Sequence, residues 1–459
     1  MSKARTERIE LPDFGAPAHE PSLPTGLYEK RLARLLSRMQ EERLDAVVVF
    51  GDREHVANIS WLTGYDPRFE EAIAVVVPGR RVTLMAGNEG FPYAECAKGV
   101  FDRVLWQPLS LMGQPRNRYR ALSTLLSEAG LTGAMRIGLA GWKGFESEDG
   151  VFDPHWIEAP HYLVKALEEF GAVSNAALLF MHPENGLRSI NEVEQLACFE
   201  YAATRTSRGI RQFIHTARPG MTEYEAVRSL DLDGFPQSVH VNMCAGPRAK
   251  YGLPSPSMRK IEKGDPIVIG FGLMGALNCR AGFMVASDAE LPAAIQDYVP
   301  KLVAPYFEAA AAWYETIGIG VEGGTLYEAV MSRLGDPFFG IGLNPGHLIH
   351  LDEWVHSPVK KNSRQRFASG MAVQCDIIPA TGTDYFMSNI EDGIALADEP
   401  LRKAFATQYR EAWTRIMARR AFMETKLGIR LKPEVLPFSN MAAWLPPFWM
   451  APDLAMTKA

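Results

Sequence analysis

A chain of 459 residues exceeds what one ordinary hydrophobic core organises, so two domains are expected. Its 47% hydrophobic, 22% charged and 10% aromatic content is that of a globular protein, and a net charge of −6 gives no electrostatic footprint for nucleic acid or an anionic membrane. The opening MSKARTERIELPDFGAPAHEPSLPTG has no apolar run of the kind a secretory leader carries, and no stretch approaches the roughly 18 apolar residues of a membrane span. Five widely spaced cysteines (Cys96, Cys198, Cys244, Cys279, Cys375), odd in number and without a CxxC pair, read as reduced and mostly buried thiols of a cytoplasmic protein.

In chain order, residues 1–27 form a Pro-rich arm expected to wrap a surface. From Tyr28, YEKRLARLLSRMQEERL has helical apolar spacing, and DAVVVFG then reads as a buried strand. NISWLTGY, EAIAVVVPG, RRVTLMAG and RVLWQPL continue as short apolar runs between turns; MRIGLAG and HYLVKALEEFG close an α/β domain over 28–180. MHPENGLRSINEVEQL marks the boundary and leads into a long helix over about 191–216. In GMTEYEAVRSL, Thr222 is placed to cap a second helix. KIEKGDPIVIGFGLMGALNCRAGFMVAS predicts a β-hairpin with a glycine-rich corner, and 291–318 predicts a long helix. Two strands, GMAVQCDIIPATG and MSNIEDGIALAD, complete a second domain over 181–400. Residues 401–459 give a helix to about 427 and a tail, LPFSNMAAWLPPFWMAPDL, whose aromatics are too costly to leave exposed and should dock on this chain or on a partner subunit.

Between those strands lies NPGHLIHLDEWVHSP, with three histidines (His347, His350, His356) and two acids (Asp352, Glu353) within ten residues. Histidine is both the commonest metal ligand and the side chain best matched to proton transfer near neutral pH. His350 and His356 read equally well as hydrogen-bonded structural residues, and Asp352 and Glu353 as a solvated pair or a helix-end feature, with a place facing the pocket as the lesser alternative. No phosphate loop, GxSxG elbow or zinc-ribbon spacing is present.

NISWLTGY followed in order by INEVEQL, KGDPIVIG, NPGHLIHLDE, GMAVQCDIIP and NIEDGIAL resembles the creatinase, aminopeptidase P and methionine aminopeptidase family over residues 28 to about 400. The resemblance implies a creatinase-type N-terminal α/β domain followed by an α+β pita-bread catalytic domain, and homodimers. Peptidases of that family hold two divalent metals with two Asp on the hairpin, one His and two Glu, which together activate a shared hydroxide. Carried onto this chain, the His falls on His347, the two Glu on Asp376 and Glu391, the first Asp on Gly270, and the second on Cys279 or Ala281. The family's substrate-facing histidine is replaced by Tyr251 or Ser255, and its later one is matched only by His356 or Trp354.

A dinuclear centre is therefore not expected. His347, Asp376 and Glu391 hold at most one Mn²⁺, Fe²⁺ or Zn²⁺, or no metal, as in the creatinases, which work with a histidine acid/base. Arg280 either pairs with Asp376 or Glu391, replacing a metal by a guanidinium, or clamps a substrate carboxylate. Cys279 reads as buried packing ahead of a nucleophile. The expected function is hydrolysis of a C–N bond in a small nitrogenous substrate. His347 or His356 handles protons, Glu391 belongs to the catalytic set, and Arg280, Asp376, Tyr251 and Ser255 bind substrate. The alternatives are a non-catalytic binding or assembly protein, a one-metal Xaa-Pro-type peptidase, and a lyase on a small zwitterion.

Overall fold

The computed structural model describes residues 4–147 and 150–458; the first three residues of the predicted arm lie outside them. The chain forms two compact units. One runs from Ser22 to Ser189, wider at both ends than 28–180. The other runs from Ile190 onward and includes the N-terminal segment up to Pro21.

The N-terminal segment contributes strand β1 (Arg5–Arg8) to the second unit. In the first unit the apolar runs become β2 (Ala46–Gly51), β3 (Ala72–Val76), β4 (Val82–Ala86), β5 (Phe101–Leu105), β6 (Met135–Ala140) and β7 (Gly171–Asn175). They form one mixed sheet in the order β5-β4-β3-β2-β6-β7. AVVVFG is buried along its length, as a central strand covered on both faces must be. NISWLTGY folds as a helix, Ala57–Thr63, because Gly64 at φ 69° supplies the left-handed residue that ends it with a bond back to the Ser60 carbonyl.

The second unit is built on β8 (Gln237–Ala245), β9 (Pro266–Leu273), β10 (Ala276–Phe283), β11 (His347–Leu348), β12 (Ala372–Ile377), β13 (Asn389–Leu396) and β14 (Val435–Pro437). The sheet runs β11-β12-β13-β10-β9-β8, with β14 on β13. The predicted hairpin is β9–β10, paired from Pro266↔Phe283 to Leu273↔Ala276. Helix Val193–Thr216 packs on β9, β10 and β13, and Ala304–Thr316 packs on β12. The latter starts later than expected: Pro292, Pro300 and Pro305 allow only short 3₁₀ and π turns before it. Thr222 caps Glu223–Val227 with a reciprocal bond pair to Glu225. The C-terminal helix is two, Glu399–Gln408 and Arg410–Thr425, broken at Tyr409.

The Pro/aromatic tail docks on its own unit. Phe283 at the end of β10 exchanges bonds with Pro447 and Trp449 (3.0 and 2.9 Å), and Trp444, Leu445, Phe448 and Trp449 are all buried. The chain closes with β15 (Leu454–Thr457), antiparallel to β1. All five cysteines are unpaired thiols; Cys244 and Cys375 are buried, whereas Cys96 is exposed.

Candidate active site

Antiparallel register lines up one row of residues across the second sheet. Asp376 on β12 stands opposite Glu391 on β13, Glu391 opposite Cys279 on β10, and Cys279 opposite Gly270 on β9. Directly paired residues point to the same face of a sheet, so this row forms one surface. It floors a cavity of ≈ 430 Å³ whose walls are mostly apolar, among them Val239, Val268, Leu277, Trp354, Ile378 and Met387.

His347 enters from the edge strand β11, where it pairs with Gln374, two residues from Asp376. The chain then loops out and returns: Leu348 donates to the His356 carbonyl (2.8 Å) and Val355 to the Leu348 carbonyl (2.9 Å). That return carries Glu353 and Trp354 over the imidazole. Glu353 Oε1 lies 3.0 Å from His347 Nε2, and the Trp354 ring stacks on His347 at 4.2 Å and 18°. Glu391 and Asp376 carboxylate oxygens lie 3.7 and 3.8 Å from the same nitrogen. His347 Nδ1 lies 3.2 Å from the Leu348 carbonyl, which can only accept, so Nδ1 carries a proton and Nε2 faces the acids.

One imidazole thus serves three carboxylates in a buried site. Burial on its own favours the neutral ring, but Glu353, Glu391 and Asp376 outweigh it and hold His347 well above the usual histidine range. Burial, then the neighbouring Glu391, pushes Asp376 well above the ordinary carboxylate range, and burial also raises Glu391. Asp376 Oδ1 is buried without a hydrogen-bond partner. Three carboxylates face that one ring, and a divalent cation would balance the remaining negative charge. Donor atoms of His347, Glu353 and Glu391 lie within 4.8 Å of one another, and their nitrogen and oxygen chemistry suits Mn²⁺, Fe²⁺ or Zn²⁺. Further along the row, Gly270 offers no side chain, and the Cys279 sulfur lies 2.3 Å from where a Cβ on that glycine would stand.

Several expected site residues are placed elsewhere. Arg280 pairs with neither Asp376 nor Glu391. One residue on from Cys279, it points to the opposite face, where Nη2 lies 2.7 Å from Asp392 and the guanidinium donates to the Cys279, Met441 and Trp444 carbonyls. It is wholly buried there and cannot clamp a substrate. Ser255 does not line the cavity; its carbonyl accepts from Arg248. Tyr251 is at the mouth, 64% exposed. His356 serves the loop through its backbone and does not line the cavity, and His350 is buried edge-to-face on Phe199. Trp354 takes the place on the cavity wall that a second histidine was sought for, and Cys279 rather than Ala281 stands beside Glu391.

Glu353 was not expected among the ligating residues. It comes from an irregular loop, where no periodicity reveals which side chain turns inward; the Pro-bounded clustering of histidines and acids is its only signal. A further loop, from Gly246 to Ser257, is pinned at the cavity mouth by Glu223, a wholly buried carboxylate. Glu223 accepts from the amides of Ala245 and Ser257, the Ser257 hydroxyl and Arg248.

Residues 31–151 match the model of the creatinase/prolidase N-terminal domain, and residues 197–398 match that of metallopeptidase family M24. Solved structures similar to this chain include a Xaa-Pro dipeptidase from Bacillus anthracis (16% identity, 81% of this chain and 96% of that one, TM-score 0.60). A recombinant prolidase from Thermococcus sibiricus aligns at 16% identity over 81% and 95% of the two chains, with TM-score 0.64. Aminopeptidase PepP of Pseudomonas aeruginosa aligns at 17% over 82% and 93%, with TM-score 0.57. At these identities the likeness shows the fold. No curated protein matches the sequence. No helix among the described residues is long and apolar enough to cross a membrane.

Proposed function

The chain belongs to the creatinase and M24 family of hydrolases, and from that premise we propose that it hydrolyses a C–N bond in a small substrate with at most one divalent cation. The observation that carries this reading is the convergence of His347, Glu353 and Glu391 beside a glycine–cysteine pair that offers a second ion no carboxylate.

In this scheme His347 through Nε2, Glu353 and Glu391 would hold the cation. When bound, such an ion polarises a carbonyl or amidine and makes water a nucleophile at neutral pH. The chain's own groups do the rest. The Leu348 carbonyl fixes the imidazole tautomer, and Trp354 holds the ring in plane. Asp376, with Oδ1 buried and unpartnered at the floor, takes a proton from the attacking water and passes it to the departing nitrogen. The apolar walls bind the body of the substrate and exclude water from the cleft.

The test is metal content by mass spectrometry on protein purified without added metal or chelator, together with amine release from a panel of Xaa-Pro dipeptides and small amides and amidines. About one ion per chain is expected, lost in His347→Ala and Glu353→Ala, with turnover of small amides that follows metal content. Two ions per chain would overturn the single-cation reading. Absence of both metal and turnover would favour a binding protein.

A further inference from the structure

Two loops rim the cavity, and the mechanism above gives neither a role: the Gly246–Ser257 loop that Glu223 pins, and residues 340–343. We propose that the substrate is an amide with an extended apolar group and no carboxylate beside the scissile bond, and that Leu253 and Leu343 on those loops bind the far end of that group. This deepens the C–N hydrolase reading and rests on it for the reaction alone.

Three observations support it. The first is register. Val268 lies two residues from Gly270 on β9, and Leu277 two residues from Cys279 on β10, so both project from the same face as the acid row and line the cavity. Hydrocarbon therefore begins directly beside the carboxylates, and a substrate held at the floor lies against it. The second is the rim. Leu253 is 73% exposed and Leu343 56%, and both line the cavity together with Tyr251. Large apolar side chains left in solvent around a cavity mouth mark a surface that a ligand covers. Each methylene moved from water onto such a surface strengthens binding about fourfold. The third is charge. The described lining residues include three carboxylates, Glu353, Asp376 and Glu391, and among them Lys250 is the one Lys or Arg. Lys250 is exposed at the mouth, with Nζ 4.9 Å over the Tyr251 ring. A carboxylate next to the reacting bond, such as a dipeptide carries, would meet like charge at the floor with no lysine or arginine to receive it.

The experiment uses the full chain as purified and straight-chain primary amides from butanamide to octanamide, with the dipeptide Leu-Pro as the carboxylate-bearing comparison. Hydrolysis is followed by ammonia or proline release, and binding separately by calorimetry on the chelator-treated chain. Affinity and kcat/KM are expected to rise about fourfold per methylene, with Leu-Pro well below octanamide. In Leu253→Ser combined with Leu343→Ser, the octanamide-to-butanamide affinity ratio falls about tenfold or more. Leu253→Met combined with Leu343→Met retains the ratio, which separates lost hydrocarbon from a disturbed loop. Affinity that stays flat along the series, a Leu-Pro affinity equal to that of octanamide, or an unchanged ratio in the serine variant would overturn the proposal. Affinity that rises along the series without any ammonia release by the purified chain would overturn the hydrolase reading and leave the apolar subsite standing.

Discussion

Replacing Arg280 by Met tests whether this arginine supports the sheet or reads a substrate. Its Nη2 lies 2.7 Å from Asp392 Oδ2, with both side chains wholly buried. At an effective dielectric of about 20, the Coulomb attraction at that distance is about 6 kcal/mol, much of it offset by the desolvation of two ions. Removing one partner strands the other charge, at a cost of about 3–5 kcal/mol. Asp392 would keep Asn278 Nδ2 (2.7 Å) and the Ala443 amide (2.9 Å), which favours the lower end. The Met441 and Trp444 carbonyls would lose their guanidinium donor, and unsatisfied acceptors cost about 1–3 kcal/mol each, which favours the upper end. We therefore expect Arg280→Met to lose about 4 kcal/mol, a large share of the roughly 5–15 kcal/mol that holds a domain together. The assay is urea unfolding followed by tryptophan fluorescence, since the docked tail brings Trp444 and Trp449 into the same unit. Arg280→Met with Asp392→Leu should recover about half of the loss, because the stranded charge is gone while the tail carbonyls remain unmet. A loss below about 1 kcal/mol, or a raised KM at unchanged stability, would refute this reasoning and return Arg280 to the substrate.

Gly270→Asp combined with Cys279→Asp restores two carboxylates to the row and should raise metal content from about one ion per chain to about two; an unchanged count would mean that more than these two residues excludes the second ion. Gly270→Ala alone places a methyl 2.3 Å from the Cys279 sulfur, and overpacking of that kind should cost about 1–3 kcal/mol in the same unfolding assay. Asp352→Ala should keep the metal that Glu353→Ala loses, because Glu353 lies 3.0 Å from His347 Nε2 and belongs to the donor group; equal loss in both would place the whole loop, not one carboxylate, in control of the site. Glu223→Gln weakens four hydrogen bonds that fix the cavity-mouth loop, and limited proteolysis near Tyr251 should quicken while metal content stays constant.

Strands β9, β10, β12 and β13 were legible in the sequence because they are apolar runs bounded by turn residues, and their order matched a family; β8, β11 and β14 were not legible as strands. The site was legible only in part, and the reason is register. Side chains on a strand alternate faces with a period of two, so a one-residue change in pairing exchanges every neighbour. Within NCRAG, Cys279 and Arg280 are adjacent, and only the pairing of Cys279 with Gly270 and Glu391 decides which of them meets the acids. Charge balance favoured Arg280 for that place, since acids left by a lost metal need a counter-ion. The same logic is satisfied on the opposite face, where Asp392, separated from Glu391 by the alternation that the sequence does contain, takes the guanidinium. The negative charge of Asp376, Glu353 and Glu391 is therefore not met by the arginine, and among the described residues it is His347 that forms ion pairs with all three. The fold thus neutralises one buried acid with arginine and gathers three others around a single imidazole, while the next two positions of the row, Cys279 and Gly270, carry no carboxylate.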